Sequence, residues 1–298
     1  MIRSAFSTVA CPTWTLDRAA LSAAEWGFMG VELRSFGEGG TEFACDPALT
    51  SGVKVRRLFR EAGVALAGIA TGVRFDAPIR PPIVGNLLSA REASVNEGKH
   101  MVAVAANVGA PYVRVFGFEG PVGESKKSLF RRVCDRLGRV CDYARNRDVT
   151  ILIENGGTFP TAVDLVDIIR RVSQPQLAAS YDAATAWLVG EDPSAGVESL
   201  GRWLRVARVR DQRAGKVCRL GTGDVPLRAF LGAVQRADQA WGTDPWAVYT
   251  WDRAWLPELA AAEEVMPGAA KLLADWTGGG GVMHRPAAFQ SAAPAMAV

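Results

Sequence analysis

The chain has 298 residues, of which 49% are hydrophobic and 22% charged, a balance that excludes a disordered chain and supplies ample apolar surface for a core. Lys and Arg number 34 against 31 Asp and Glu, so the formal net charge is only +3 and no strongly basic character points to nucleic acid. No run of 18 apolar residues is present, so neither a membrane span nor a membrane partner is expected.

Taken in chain order, the first β-rich run is 3–9, whose single Arg and short apolar stretch are too weak for a secretory signal. The expected location is therefore cytoplasmic. Further strands are predicted over 30–34, 65–71, 112–117, 150–154, 177–181, 203–208 and 246–251. Amphipathic helices are predicted over 17–26, 47–62, 88–108, 125–147, 161–172, 193–200, 226–239 and 257–276. Eight strands, each followed by a helix, is the count that closes a (β/α)8 barrel, so the fold class is α/β with one barrel domain over 1–277. Ile151-Leu152-Ile153 is apolar throughout, as a strand covered on both faces should be. Asp46-Pro47 and Asp192-Pro193 read as N-caps with proline in the first turn, and Gly27, Gly63 and Gly109 close helices. An open doubly wound sheet is the rival, but no GxGxxG follows the first strand. Residues 278–298, opening on four glycines, read as a flexible tail that carries His284, one of two histidines.

Five cysteines show no CxxC pair and no zinc-like spacing, and Cys134 and Cys141, seven apart, share a helix face expected to be buried. Lys126-Lys127 and Arg131-Arg132 read as a solvated helix face, and His100 as solvent-facing.

In a barrel of this kind functional side chains stand at the C-terminal ends of strands. Those positions are Glu32 and Arg34, Glu119, Glu154 with Asn155, Asp182, then Arg208, Arg210 and Asp211, and finally Thr250, Trp251 and Asp252. Glu154 is the sharpest, because a charge ending an apolar strand is costly unless it is paired or used. Trp14, Trp187, Trp251 and Trp255 lie near strand ends and either wall a pocket or join the core. Gly221-Thr222-Gly223 either offers amides to a phosphate or is an ordinary loop.

Several motifs recur in order: Gly30-Val31-Glu32-Leu33-Arg34, Gly109-Ala110-Pro111-Tyr112-Val113-Arg114-Val115, Ile153-Glu154-Asn155, Tyr181-Asp182, Leu220-Gly221-Thr222-Gly223-Asp224 and Trp255-Leu256-Pro257-Glu258-Leu259. With them the chain resembles the sugar phosphate isomerase/epimerase superfamily, the xylose isomerase-like TIM barrels, over about 1–277. The superfamily includes endonuclease IV, whose histidine-rich multi-zinc site is excluded here by a total of two histidines. The resemblance implies one divalent metal (Mn, Mg or Zn) held by Glu, Asp, His and Glu from strands five to eight, with the glutamates moving a proton between sugar carbons. Glu154 and Asp182 match the first two ligands. The histidine is replaced in Arg208-Val209-Arg210-Asp211, the last glutamate in Thr250-Trp251-Asp252-Arg253, and a histidine often found after the second ligand is Thr185. Arginine offers donors only and cannot ligate a metal. No cofactor is therefore expected, although Mg held by one or two carboxylates and water stays open.

The resemblance implies an isomerase, epimerase or related lyase acting by proton transfer on a small polyhydroxylated or carbonyl substrate. In that reading Glu154 is the general base, Arg208 stabilises the enolate in place of the metal, and Asp182 orients Arg208. Arg210 binds a carboxylate or phosphate, with Glu32, Asn155 and Trp251 completing the substrate-binding set. The alternative is an inactive barrel that serves as a ligand-binding or partner subunit. In a third reading Glu154, Asp182 and Arg208 form only an ion-paired network that closes a vacated site. Barrels of this superfamily often self-associate, so a homo-oligomer stays open, but the sequence does not give the oligomeric state.

Overall fold

Alternation of side chains along each strand decides what faces the inside of a closed sheet and what faces the helices around it. The computed structural model describes residues 2–35, 51–76, 87–120 and 122–278, with only the backbone of 87–92. Its strands are β1 (Arg3–Ser7), β2 (Gly30–Arg34), β3 (Ala65–Arg74), β4 (Tyr112–Phe116), β5 (Thr150–Glu154), β6 (Leu177–Asp182), β7 (Leu204–Val209), a hairpin of β8 (Asp211–Arg213) and β9 (Lys216–Cys218), and β10 (Trp246–Tyr249). β1 to β7 and β10 form a closed parallel barrel in which β10 pairs with both β7 and β1. The helices are α1 (Leu16–Trp26), α2 (Gly52–Ala62), α3 (Leu87–Val108), α4 (Lys126–Ala144), α5 (Ala162–Val172), α6 (Ala183–Leu188), α7 (Pro193–Leu200), α8 (Leu227–Trp241) and α9 (Ala262–Thr277). This is the (β/α)8 barrel that the alternation predicts.

Inside the barrel Ala5, Ala67, Tyr112, Leu152, Ala178, Val206, Trp246 and Val248 form a small cluster separate from the main core. The main core lies between strands and helices and takes Ile151 and Ile153, the outward neighbours of Leu152. This is why the fifth strand is apolar at every position: both of its faces are covered, and each such side chain contributes roughly 1.5–3 kcal/mol. Two residues further along the strands the interior becomes polar. Ser7, Arg114, Glu154, Ser180, Arg208 and Thr250 follow Ala5, Tyr112, Leu152, Ala178, Val206 and Val248, and all are buried.

The local signals behave as chemistry dictates. Gly27 and Gly63 end α1 and α2 in the left-handed conformation. Asp192 caps α7, its carboxylate accepting from Ser194 N at 2.9 Å. Cys134 and Cys141 are both buried on α4. Among the described residues, no helix is long and apolar enough to cross a membrane. The β8–β9 hairpin and α6 were not anticipated from the sequence, and α9 begins at Ala262 rather than at 257 because an irregular segment precedes it. Arg132 is not solvated: its guanidinium reaches both carboxylate oxygens of Glu124 and the Asp76 carbonyl. Asp46-Pro47, Cys45, residues 279–298 and His284 lie outside the described residues.

Candidate functional site

The polar interior layer is built around Arg208 on β7. Its guanidinium grips Glu32 in a fork, Nη2 to Oε1 at 2.8 Å and Nη1 to Oε2 at 3.0 Å. Nε donates to Glu154 Oε2 at 2.7 Å and Nη1 donates to Thr250 Oγ1 at 2.9 Å. From the opposite side Arg114 Nη1 donates to Glu154 Oε1 at 3.1 Å, and Ser180 Oγ donates to Oε2 at 2.8 Å. Tyr112 Oη donates to Glu32 Oε1 at 3.0 Å. Gly68 on β3 makes that last contact possible, since a Cβ there would overlap the Tyr112 ring. Two carboxylates and two guanidiniums are thus buried together with all four carboxylate oxygens and all three Arg208 nitrogens engaged, the condition under which buried charge is tolerated. Arg114 Nε has no hydrogen-bond partner among the described residues.

The electrostatics follow from this geometry. Burial alone would raise the Glu154 carboxyl, but Arg114 and Arg208, with hydrogen bonds from Ser180 and Arg208, hold it at about 2. Glu32 is likewise driven upward by burial and pulled below the usual carboxylate range by Arg208. Burial opposes the charge on Arg208, yet Glu154 and Glu32 hold its proton more tightly than usual. Tyr112→Phe is expected to lower stability by about 2 kcal/mol, because it removes a hydrogen bond to a buried carboxylate. Chemical denaturation at neutral pH checks this, and wild-type stability would show that the hydroxyl contributes nothing.

Above this layer Arg210 bridges two further carboxylates, Asp182 Oδ2 at 2.8 Å and Asp252 Oδ2 at 3.2 Å. Asp182 also caps α6 by accepting from Thr185 N at 3.0 Å. Asn155 ties β5 to β6: its Oδ1 accepts from Asp182 N at 2.7 Å, and its Nδ2 donates to the carbonyls of Asp182 and Pro160. Over both layers lies a cavity of about 290 Å³ at the C-terminal ends of the strands. Its charged lining is Arg34, Arg114, Arg208 and Arg210 with Glu154, Asp182 and Asp252, and Glu32 lies paired beneath Arg208. Phe116, Phe118 and Trp255 supply its aromatic walls.

The strand-end residues therefore converge. Glu154, Asp182, Arg208, Arg210 and Asn155 all line the cavity. Glu32 does not; it lies beneath Arg208 and is wholly buried. Trp251 is placed in the main core, its indole donating to Ala260 O at 2.9 Å, because the inward positions on either side belong to Thr250 and Asp252. Trp255 takes the wall position instead, while Trp14 is buried and Trp187 exposed away from the cavity. The amides of Gly221 and Gly223 are bonded to Asp211 Oδ2 at 2.8 and 3.0 Å, so this loop offers them to its own carboxylate rather than to a phosphate. Sequence reasoning missed the roles of Arg114, Ser180 and Tyr112.

The residues present do not fit the four-ligand divalent site that the resemblance implies. Both oxygens of Glu154 and both of Asp182 are engaged by donors, and a guanidinium stands at the histidine position. Among the described residues, no group of three or more His, Cys, Asp and Glu is arranged to hold a metal.

A family model described as xylose isomerase-like TIM barrel matches residues 21–266. Solved structures share the fold at low identity. L-ribulose 3-epimerase superposes with a TM-score of 0.73 at 15% identity, covering 96% of this chain and all of that one. The probable 3-DHS dehydratase AsbF of Bacillus anthracis, involved in petrobactin synthesis, gives 0.70 at 15% identity over 92% of this chain and 98% of its own. The IOLI protein, whose structure holds a zinc atom, gives 0.68 at 14% identity over 93% and 99%. No curated protein matches the chain in sequence.

Proposed function

Because the chain belongs to the xylose isomerase-like TIM barrel family, we propose that its barrel mouth binds a small anionic molecule of sugar-like or carbonyl character, and that it does so without a metal. One observation carries this reading. Every carboxylate that lines the cavity is ion-paired to arginine, so the lining meets a ligand with guanidinium N–H groups rather than with a bare carboxylate. Guanidinium N–H groups match the oxygens of carboxylates and phosphates, and the aromatic walls suit the apolar face of a sugar ring or a conjugated carbonyl compound. Glu154 and Arg208 then hold the floor of the cavity in shape. A carboxyl held at about 2 is a weak base, which argues against Glu154 as the proton acceptor.

A second reading keeps proton transfer, as an isomerase, epimerase or lyase, on the same anionic molecule. The epimerase and dehydratase among the structural neighbours favour it. In that reading Asp182 and Asp252, which share Arg210 at the wider level of the cavity, are the carboxylates that meet the substrate.

Titration calorimetry with D-gluconate and D-ribose 5-phosphate against neutral D-glucitol tests the first reading. At least one anion is expected to bind about tenfold or more tightly than D-glucitol, with affinity unchanged by EDTA. Equal binding of the neutral polyol, or binding that requires added Mn²⁺, would overturn it. Incubation of D-ribose 5-phosphate and other sugar phosphates with the protein in D2O separates the second reading, since deuterium entering carbon beside the carbonyl reports proton transfer.

A further inference from the structure

We infer that the opposite end of the barrel carries a second site, where Arg205, Arg3 and Thr243 receive a small oxyanion such as phosphate or a carboxylate. It stands apart from the mouth and does not depend on what the mouth binds. A cavity of about 150 Å³ lies at the N-terminal ends of the strands. Arg3, Tyr112, Thr150 and Trp246 line it from the first residues of β1, β4, β5 and β10, and Arg205 from the second residue of β7. β10 runs between β1 and β7, and the loop that enters it carries Thr243 to the same cavity as the two arginines. Tyr112 and Trp246 also belong to the apolar cluster of the barrel interior, which lies between this cavity and the mouth. The volume is below the roughly 300–1,000 Å³ of pockets that hold drug-sized molecules, so the occupant is an ion-sized group.

What the polar groups of this cavity lack is an acceptor. Arg205 uses only Nη1, which donates to the carbonyls of Arg202 at 2.7 Å and Leu204 at 3.1 Å. Nε and Nη2 make no hydrogen bond among the described residues, and no carboxylate there pairs with this arginine. Burial pulls its guanidinium below the ordinary value with no opposing charge set against it. Arg3 is partly committed: Nη2 reaches the Asp244 carbonyl at 3.0 Å and its carboxylate at 2.7 Å, and the guanidinium carbon stands 4.2 Å from the Trp246 ring centroid. Its buried Nε has no hydrogen-bond partner among the described residues. Asp244 also lines the cavity, but its side chain is 63% exposed, so water and salt screen its repulsion of an anion. Thr243 is buried, and its hydroxyl is likewise without a partner among the described residues. Leaving such groups unpaired is costly, and each of the three can donate. An oxyanion supplies acceptors to all of them at once, and a guanidinium matches its paired oxygens.

Titration of sodium phosphate and sodium acetate at fixed ionic strength into wild type, Arg205→Gln, Arg205→Lys, Thr243→Val and Arg210→Gln tests the site, with melting temperature as the check on folding. Wild type is expected to bind at least one of the two ions, and the preferred one identifies the oxyanion. Arg205→Gln should weaken that ion about tenfold or more, with partial rescue in Arg205→Lys and no loss in Arg210→Gln. Thr243→Val should weaken it as well, while melting no lower than wild type in buffer free of both ions, because it removes an unpaired hydroxyl. Should Arg205→Gln fail to fold, Thr243→Val decides the matter alone. Wild-type affinity in folded Arg205→Gln and Thr243→Val, or no binding of either ion by wild type, would overturn the site. Loss of binding in Arg210→Gln instead would place the ion in the mouth and overturn it equally.

Discussion

Arg208→Met is expected to lower stability by about 3–5 kcal/mol at neutral pH, the cost typical of leaving buried charge without its partner. Glu32, wholly buried, would keep only the Tyr112 hydroxyl, and Glu154 would lose one of its two guanidiniums. The pH dependence should also reverse. In the wild type both carboxyls are held low by arginine, so their contribution is complete above the ordinary value of 4.5 and is lost as pH falls through their folded values. Without Arg208, burial dominates at Glu32 and raises its carboxyl, so the destabilisation should be greatest at neutral pH and shrink as acid protonates the group. Urea denaturation of both proteins at pH 7 and pH 5 checks this. An Arg208→Met protein as stable as wild type at pH 7 would mean that the guanidinium does not hold these strands together.

Glu154→Gln is the second substitution with a large expected effect. Displacement of the Glu154 carboxyl from 4.5 to about 2 corresponds to about 3 kcal/mol of stability at neutral pH, lost progressively as pH falls from about 5 toward 2. Glutamine keeps the shape but leaves Arg114 and Arg208 facing a neutral amide. The variant should therefore be less stable than wild type by roughly that amount at pH 7, with the difference closing as pH approaches 2. A general-base role predicts the opposite pattern: little loss of stability and complete loss of turnover. Denaturation curves from pH 7 to pH 2 separate the two.

Much of the fold was legible because each barrel strand announces itself as a short apolar run followed by an amphipathic helix, and Ile151-Leu152-Ile153 does so without ambiguity. The polar strand ends were legible for the same reason, and Glu154, Asp182, Arg208, Arg210 and Asn155 do meet around one cavity. Arg114 escaped because it lies inside a strand rather than at its end. The period of two along Tyr112, Arg114 and Phe116, matched to Leu152 and Glu154, places it in the interior and was the available signal. The same parity puts Trp251 outside, since Thr250 and Asp252 point inward. Glu32 was placed correctly on its strand, but nothing local tells that a residue 176 positions away will cover it. The Asp211 contacts to Gly221 and Gly223 were hidden because the hairpin that sets them gives only three-residue strands.

That long separation also bears on how the barrel comes to exist. Glu32 enters from the first quarter of the chain, Arg114 and Glu154 from the middle, and Arg208 and Thr250 from the last third. The second half pairs Glu154 with Arg208 but lacks the Glu32 that takes two Arg208 nitrogens. The first half holds Glu32 and Arg114 without these ion-pair partners, so a nascent or severed half-barrel carries ions that must remain hydrated. Dehydration becomes favourable only when the final strands arrive, which ties closure of the cylinder to completion of its charge balance and disfavours partly assembled forms.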